Sequence, residues 1–244
     1  MYRLILIKNT INIMPLSIYN SLSKDTAAAA ESLSVMLQKE KRYYSTSRLH
    51  SLDHPSSLRS SSIDDQDRTK IVQWLYFATD RLGLDRETVA IAMDMVDRFL
   101  SSESICSAVV EVYLSSRKQY QLLSLTAFYV SAKINECVTI GSESLSDVCN
   151  GIYSAEEIEA TELTLLHGLS WQVCAPTSVQ IACHVLSLLL PHVNVEESTW
   201  GFILDEVRLQ TEIFVKYDKV TLNLPSTVAL AAIFNALEQV DARV

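Results

Sequence analysis

Any chemistry in this sequence would have to come from its thiols, its imidazoles or a few charged pairs. The five cysteines, Cys106, Cys137, Cys149, Cys174 and Cys183, contain no CxxC spacing, and their odd number suits neither a closed disulfide framework nor a zinc ribbon. Cys149, His167, Cys174, Cys183 and His184 match no ligand or nucleophile spacing, and a free cysteine in an apolar segment is ordinarily a small hydrophobe. No GxxxxGK[ST] loop, GxGxxG turn or HExxH pair occurs, so the residues point away from catalysis, and no cofactor or metal is expected. Two charges stand out instead. Lys133 closes a stretch, Tyr120 to Ala132, that carries no charge, so its cation meets the negative end of a helix dipole. Glu162 sits among Leu163, Leu165 and Leu166. On their chemistry alone the two could form an internal pair that stabilises the fold.

The elements that must position these groups read as helices. Of 244 residues 48% are hydrophobic and 20% charged, while Gly 5 and Pro 5 are far below ordinary usage, which favours long helices over many short strands. The net charge of −9 removes the electrostatic footprint needed for nucleic acid or an anionic membrane surface. No apolar run suggests a membrane span, and the odd cysteine count suggests a reducing compartment. Residues 1–24 hold Arg3, Lys8 and Lys24 but no acid, a weak targeting signal.

Asp25 or Thr26 caps an amphipathic helix running to about Arg42, and the Ser-dominated stretch from Tyr43 to Asp65 reads as a flexible linker. Order resumes at Asp67 with the stripe Ile71, Trp74, Leu75, Ala78 and Leu82, closed by Gly83; Asp85 caps the next helix, which runs to Leu100. A loop to about Ser116 has room for an extra short helix. Residues 117–135 read as a helix buried on all sides, the centre of the domain. A short helix near Leu145–Cys149 follows, and Ser154 with Glu157 forms a capping box that opens a helix to His167 and Gly168. Beyond Pro176, helices are expected from Thr177 to Leu190, from about Glu197 to Tyr217, and from Pro225 to the end. The aromatics Trp171, Trp200, Phe202 and Phe214 read as core and seam. The fold class is therefore all-α.

Arg68-Thr69-Lys70-Ile71 with Trp74, Glu87-Thr88-Val89-Ala90 running to Asp97-Arg98-Phe99-Leu100-Ser101-Ser102, Ser131-Ala132-Lys133-Ile134-Asn135-Glu136, and Glu162 ahead of Ala175-Pro176-Thr177 fall in this order. Together they resemble the cyclin box, with Arg68, Asp97, Leu122, Lys133 and Glu162 at its defining positions. The resemblance implies an N-terminal extension over 1–65, a first cyclin box over 66–176 built around a central buried helix, and a partial second box over 177–244. Because that second box holds three helices where the family has five, exposed apolar surface is expected on the C-terminal half.

By the same resemblance, Lys133 and Glu162 bind backbone of a cyclin-dependent kinase catalytic subunit, whereas Arg68 and Asp97 form a structural buttress and Leu122 is core. The implied protein is a noncatalytic kinase regulator in cell-cycle control, nuclear or cytoplasmic. The alternative is a cyclin-fold peptide-binding or transcription-factor-like scaffold without a kinase. Asp67, Lys70, Ile71 and Trp74 occupy the positions of the family's groove for RxL-type substrate peptides. Asp67 replaces the family's Met and Lys70 an apolar residue, so the groove is expected to be degraded for such peptides.

Overall fold

The computed structural model describes residues 25–44, 63–102, 105–137, 141–193, 196–216 and 223–241. These form ten α-helices and one short 3-10 turn, with no strand among the described residues. The helices are α1 (Thr26–Tyr44), α2 (Asp65–Leu82), α3 (Glu87–Leu100), α4 (Ser107–Ser115), α5 (Arg117–Asn135), α6 (Ser142–Val148), α7 (Ala155–Gly168), α8 (Ser178–Leu189), α9 (Glu197–Phe214) and α10 (Pro225–Asp241). No helix among the described residues is long and apolar enough to cross a membrane. Most of the expected linker and all of residues 1–24 lie outside the described residues.

Local chemistry explains most helix boundaries. The Asp25 carboxylate accepts from the backbone N–H of Ala27 and Ala28, which starts α1. The Asp85 carboxylate accepts from Glu87 N–H at the entry to α3. Capping boxes open α7 at Ser154 and Glu157, and α8 at Thr177 and Gln180. Gly83 closes α2 in the left-handed conformation, at φ 67°.

Several boundaries differ from the sequence reading: α6 starts at Ser142 and not near Leu145, and α9 ends at Phe214 and not at Tyr217. α1 continues through Tyr43 and Tyr44, because the Tyr44 hydroxyl donates to Asp94 and Arg98 lies over the Tyr43 ring. α2 starts at Asp65 and not at Asp67: Asp64 is the N-cap, and Asp67 is the third residue of a capping box in which each carboxylate accepts from the other's backbone N–H. The stretch before Ser116 is a true helix, α4. Its Tyr113 ring meets Phe99 edge-on at 5.6 Å, so the apolar patch there is a docking face.

α5 is the axis of the first unit. From Leu122 to Ala132 every residue is buried, with α3, α7, α4 and α2 packed around it. Its polar residues are mostly answered locally: Ser124 Oγ donates to Tyr120 O, and Ser131 Oγ to Thr88 O on α3. Leu122 is buried in a side cluster with Leu145, Tyr153 and Ile158, beneath α6, apart from the main core around Phe99 and Phe128. Gly168 serves close packing, since a Cβ there would lie 2.6 Å from both Phe99 and Ile105.

The second unit packs α8, α9 and α10 around Ile181, Trp200, Ile203, Val207 and Ile233, and α1 joins that core through Leu33 and Met36. Leu230, Phe234 and Leu237 form an exposed stripe along α10, the apolar surface expected on this half. The units are tied by Arg86, which holds Glu212 through Nε and Nη2 at 3.0 and 2.7 Å, and by the Thr177 hydroxyl, which donates to Glu87. Trp200 is buried as expected. Trp171 is not core: it is 60% exposed.

Candidate partner-docking site

Arg68 and Asp97 meet between α2 and α3 as a bidentate pair, Nη1 to Oδ1 at 2.6 Å and Nη2 to Oδ2 at 2.8 Å, with the two residues 2% and 6% exposed. Arg68 also donates from Nε and Nη2 to the carbonyl of Val215, one of the carbonyls left over at the end of α9. The pair therefore joins three elements, including one from the second unit. A sequence pattern confined to the first unit could not disclose that third contact.

Lys133 and Glu162 also meet, in a different setting. Lys133 lies in the last turn of α5 and donates from Nζ to Glu162 Oε1 on α7, with its ammonium 4.4 Å from the centre of the Tyr129 ring. The Lys133 side chain is 36% exposed and that of Glu162 16%. Ile134 and Leu163, the chain neighbours of the pair, and Trp171 beyond the end of α7 are exposed apolar side chains. The next residues anchor the end of α5, since Glu136 accepts from the Asp85 backbone N–H and the Thr88 hydroxyl, and Asn135 donates to Thr88 Oγ1. The sequence reading gives neither anchor a role, although both close the segment Ser131-Ala132-Lys133-Ile134-Asn135-Glu136.

Trp171 is held outward by an unusual turn. Ser170 N–H donates to His167 O and Trp171 N–H to Leu166 O, both at 2.9 Å, the paired bonds of a Schellman stop. Glycine would normally take the left-handed position. Here Ser170 and Trp171 both adopt positive φ, 51° and 62°, at a cost of about 1–2 kcal/mol each. Arg98, buried between α1 and this turn, donates from Nη1 to Gln172 O at 2.7 Å and from Nε to Asp94 at 2.8 Å, fixing the loop. No glycine marks this turn in the sequence, and the core-and-seam reading of Trp171 gives way to an exposed side chain.

Asp67, Lys70, Ile71 and Trp74 come together in a cleft of about 410 Å³ between α2 and α5, with Leu75, Arg117, Tyr120, Gln121, Leu125 and Cys149 completing its wall. Burial alone would raise the Asp67 carboxyl. Arg117, whose Nε donates to it at 2.8 Å, and the Asp64 backbone N–H outweigh that and hold it below the ordinary range. At the cleft wall, burial pushes the Cys149 thiol up to about 11, so it stays protonated and un-nucleophilic near neutrality. Among the described residues no three metal-ligating side chains gather.

A sequence family described as "Cyclin, N-terminal domain" matches residues 31–174, more than half of the chain. The chain belongs to the cyclin family. A G2/mitotic-specific cyclin-2 of Antirrhinum majus is 24% identical over 195 residues, which cover 80% of this chain and 41% of that relative. Cyclin-B1-1 of Arabidopsis thaliana is 29% identical over 175 residues, covering 71% and 37%. A G2/mitotic-specific cyclin-B1 of Oryzias javanicus is 26% identical over 188 residues, covering 77% and 42%. This cyclin-family chain spans about two-fifths of the length of these curated relatives.

Proposed function

We propose that the chain is a noncatalytic regulatory subunit that binds a cyclin-dependent Ser/Thr protein kinase in the nucleus or cytoplasm and activates it during cell division. The observation that carries this reading is the partly exposed Lys133–Glu162 pair between the end of α5 and α7. In the free chain the ammonium and carboxylate satisfy one another. Against a partner, Lys133 can donate to a backbone carbonyl while Glu162 accepts from a backbone N–H, fixing register without demanding a particular partner sequence. The end of α5 is anchored through Glu136 and Asn135, which limits the ordering cost of docking. Docking against the regulatory helix of a kinase would hold in place the kinase Lys–Glu pair needed to position phosphate.

The test is co-purification with a panel of cyclin-dependent kinase catalytic subunits, followed by a peptide-phosphorylation assay, using wild type and the Lys133→Ala, Glu162→Ala double variant. Wild type should raise the activity of at least one kinase, and the folded double variant should lose that activation. Undiminished activation by the double variant would reject this interface. Binding of peptides with no kinase captured would favour the scaffold reading.

A further inference from the structure

We propose that residues 1–24 of this chain dock on the exposed apolar stripe of α10, with the run Leu4-Ile5-Leu6-Ile7 over Phe234 and one of its flanking cations at Glu238. Leu230, Phe234 and Leu237 lie at i, i+4 and i+7, so they share one side of the helix, and they are 44%, 63% and 39% exposed. The other sides of α10 are occupied. Asn235 and Gln239 donate to Gln210 and Glu206 on α9, and Ile233 and Ala236 face the core shared with Ile181 and Trp200. The stripe is the side that the described helices leave open, and an apolar cover there would be driven by removal of its area from water.

Composition, charge and reach single out the N-terminal segment as the occupant. Residues 1–24 hold thirteen hydrophobic residues and three bases, Arg3, Lys8 and Lys24, with no acid. Residues 178–241 hold eight acids against three bases, and the charges on α10 itself, Glu238 and Asp241, are both negative. A second copy laid on the stripe would bring two surfaces of like sign together, whereas the N-terminal segment brings cations. Arg3 and Lys8 bracket the apolar run, so a cation lies at either end of it, and Glu238 is exposed directly after Leu237. The tether starts on the same unit. Lys24 precedes Asp25, which caps α1, and α1 is fixed by Leu33 and Met36 in the core of the second unit and by Glu40 at Ser226, at the start of α10. From Asp25 to Glu40 is about 22 Å of helix, and from Ser226 to Phe234 about 12 Å. Phe234 therefore lies within about 40 Å of Asp25, and an extended segment of this length reaches about 80 Å.

The proposal is independent of kinase binding, and its test contains no kinase. The full chain is prepared with the photo-cross-linker p-benzoylphenylalanine in place of Phe234, irradiated, digested and read by mass spectrometry. The cross-link should form at monomer mass, to a peptide from residues 1–24. Combining Leu4→Asn, Ile5→Asn, Leu6→Asn and Ile7→Asn, with helix content unchanged by circular dichroism, should abolish that cross-link; in the chain that keeps Phe234, the same four changes should raise the fluorescence of a bound hydrophobic dye severalfold. Arg3→Glu with Lys8→Glu should cut the cross-link yield about two- to fivefold, and adding Glu238→Lys should recover it. A cross-link only to a second copy would assign the stripe to self-association and overturn the proposal. So would the lack of any cross-link to residues 1–24, or full yield and unchanged dye binding in the fourfold variant. An unchanged yield in the charge variants would overturn the placement of a cation at Glu238.

Discussion

Arg68–Asp97 and Lys133–Glu162 are both contacts between a cation on one helix and a carboxylate on another, and their surroundings give them opposite properties. The first is sealed from water, bidentate, and completed by the Val215 carbonyl. The second is single-ended and partly solvated. An ion pair at full coordination inside a bundle can only be broken at the cost of an uncompensated charge. A pair with spare hydrogen-bonding capacity at the surface can exchange one partner for another at little cost. Residue identity is similar in the two pairs, so it is burial and completeness of coordination that separate a strut from a docking point.

The comparison is tested most severely at the strut. Arg68→Ala should lower stability by about 3–5 kcal/mol, since it strands Asp97 in the interior and frees Val215 O, and chemical denaturation should report it. A wild-type midpoint would show that the buried pair is not a strut. Next comes Glu40, a buried carboxylate that accepts from Ser226 N–H at 2.6 Å and from the Ser226 hydroxyl at 2.8 Å, closing the start of α10 from the other end of the chain. Glu40→Ala should cost about 1–3 kcal/mol and loosen amide protection at the start of α10, measured by hydrogen exchange.

At the surface pair, a double-mutant cycle on Lys133 and Glu162 should give a coupling of only about 0.2–1 kcal/mol in thermal unfolding. A coupling as large as that of the buried pair would erase the distinction. The smallest effect is expected at Glu87, whose carboxyl is pushed up by burial, against the Thr177 hydroxyl that pulls it down. Because the folded chain holds this proton more tightly than the unfolded one, the contribution is complete below the unfolded value of about 4.3 and is lost as pH rises through the folded value. Glu87→Gln should therefore raise the melting temperature near pH 7 and leave it unchanged near about pH 4; an equal shift at both would show that ionisation is not the cause.

What the sequence disclosed and what it withheld follow from the range of the interactions. Capping boxes and the charge-free run of α5 are short-range signals, and the helices they mark occur where expected. The extension of α1 through Tyr44 depends on Asp94 and Arg98, and the short α4 depends on Phe99, so neither boundary is encoded in its own segment. Trp171 was misplaced because hydrophobicity predicts burial only on average, and a strained turn fixed by Arg98 overrides it. Lys133 and Glu162 are legible as a pair, but the Tyr129 ring beneath the ammonium is seen only in three dimensions.

The contact between Glu40 and Ser226 spans 186 residues, and this sets an order of events during synthesis. At about 5–20 residues per second, α1 leaves the ribosome roughly 10–40 s before its partner on α10 exists. Tyr44 can find Asp94 after only 50 further residues, so the C-terminal end of α1 has a landing place early. Leu33 and Met36, which pack against the core formed by α8, α9 and α10, remain without their neighbours until those helices emerge. Until α10 is complete these two side chains remain an apolar handle that a chaperone can hold.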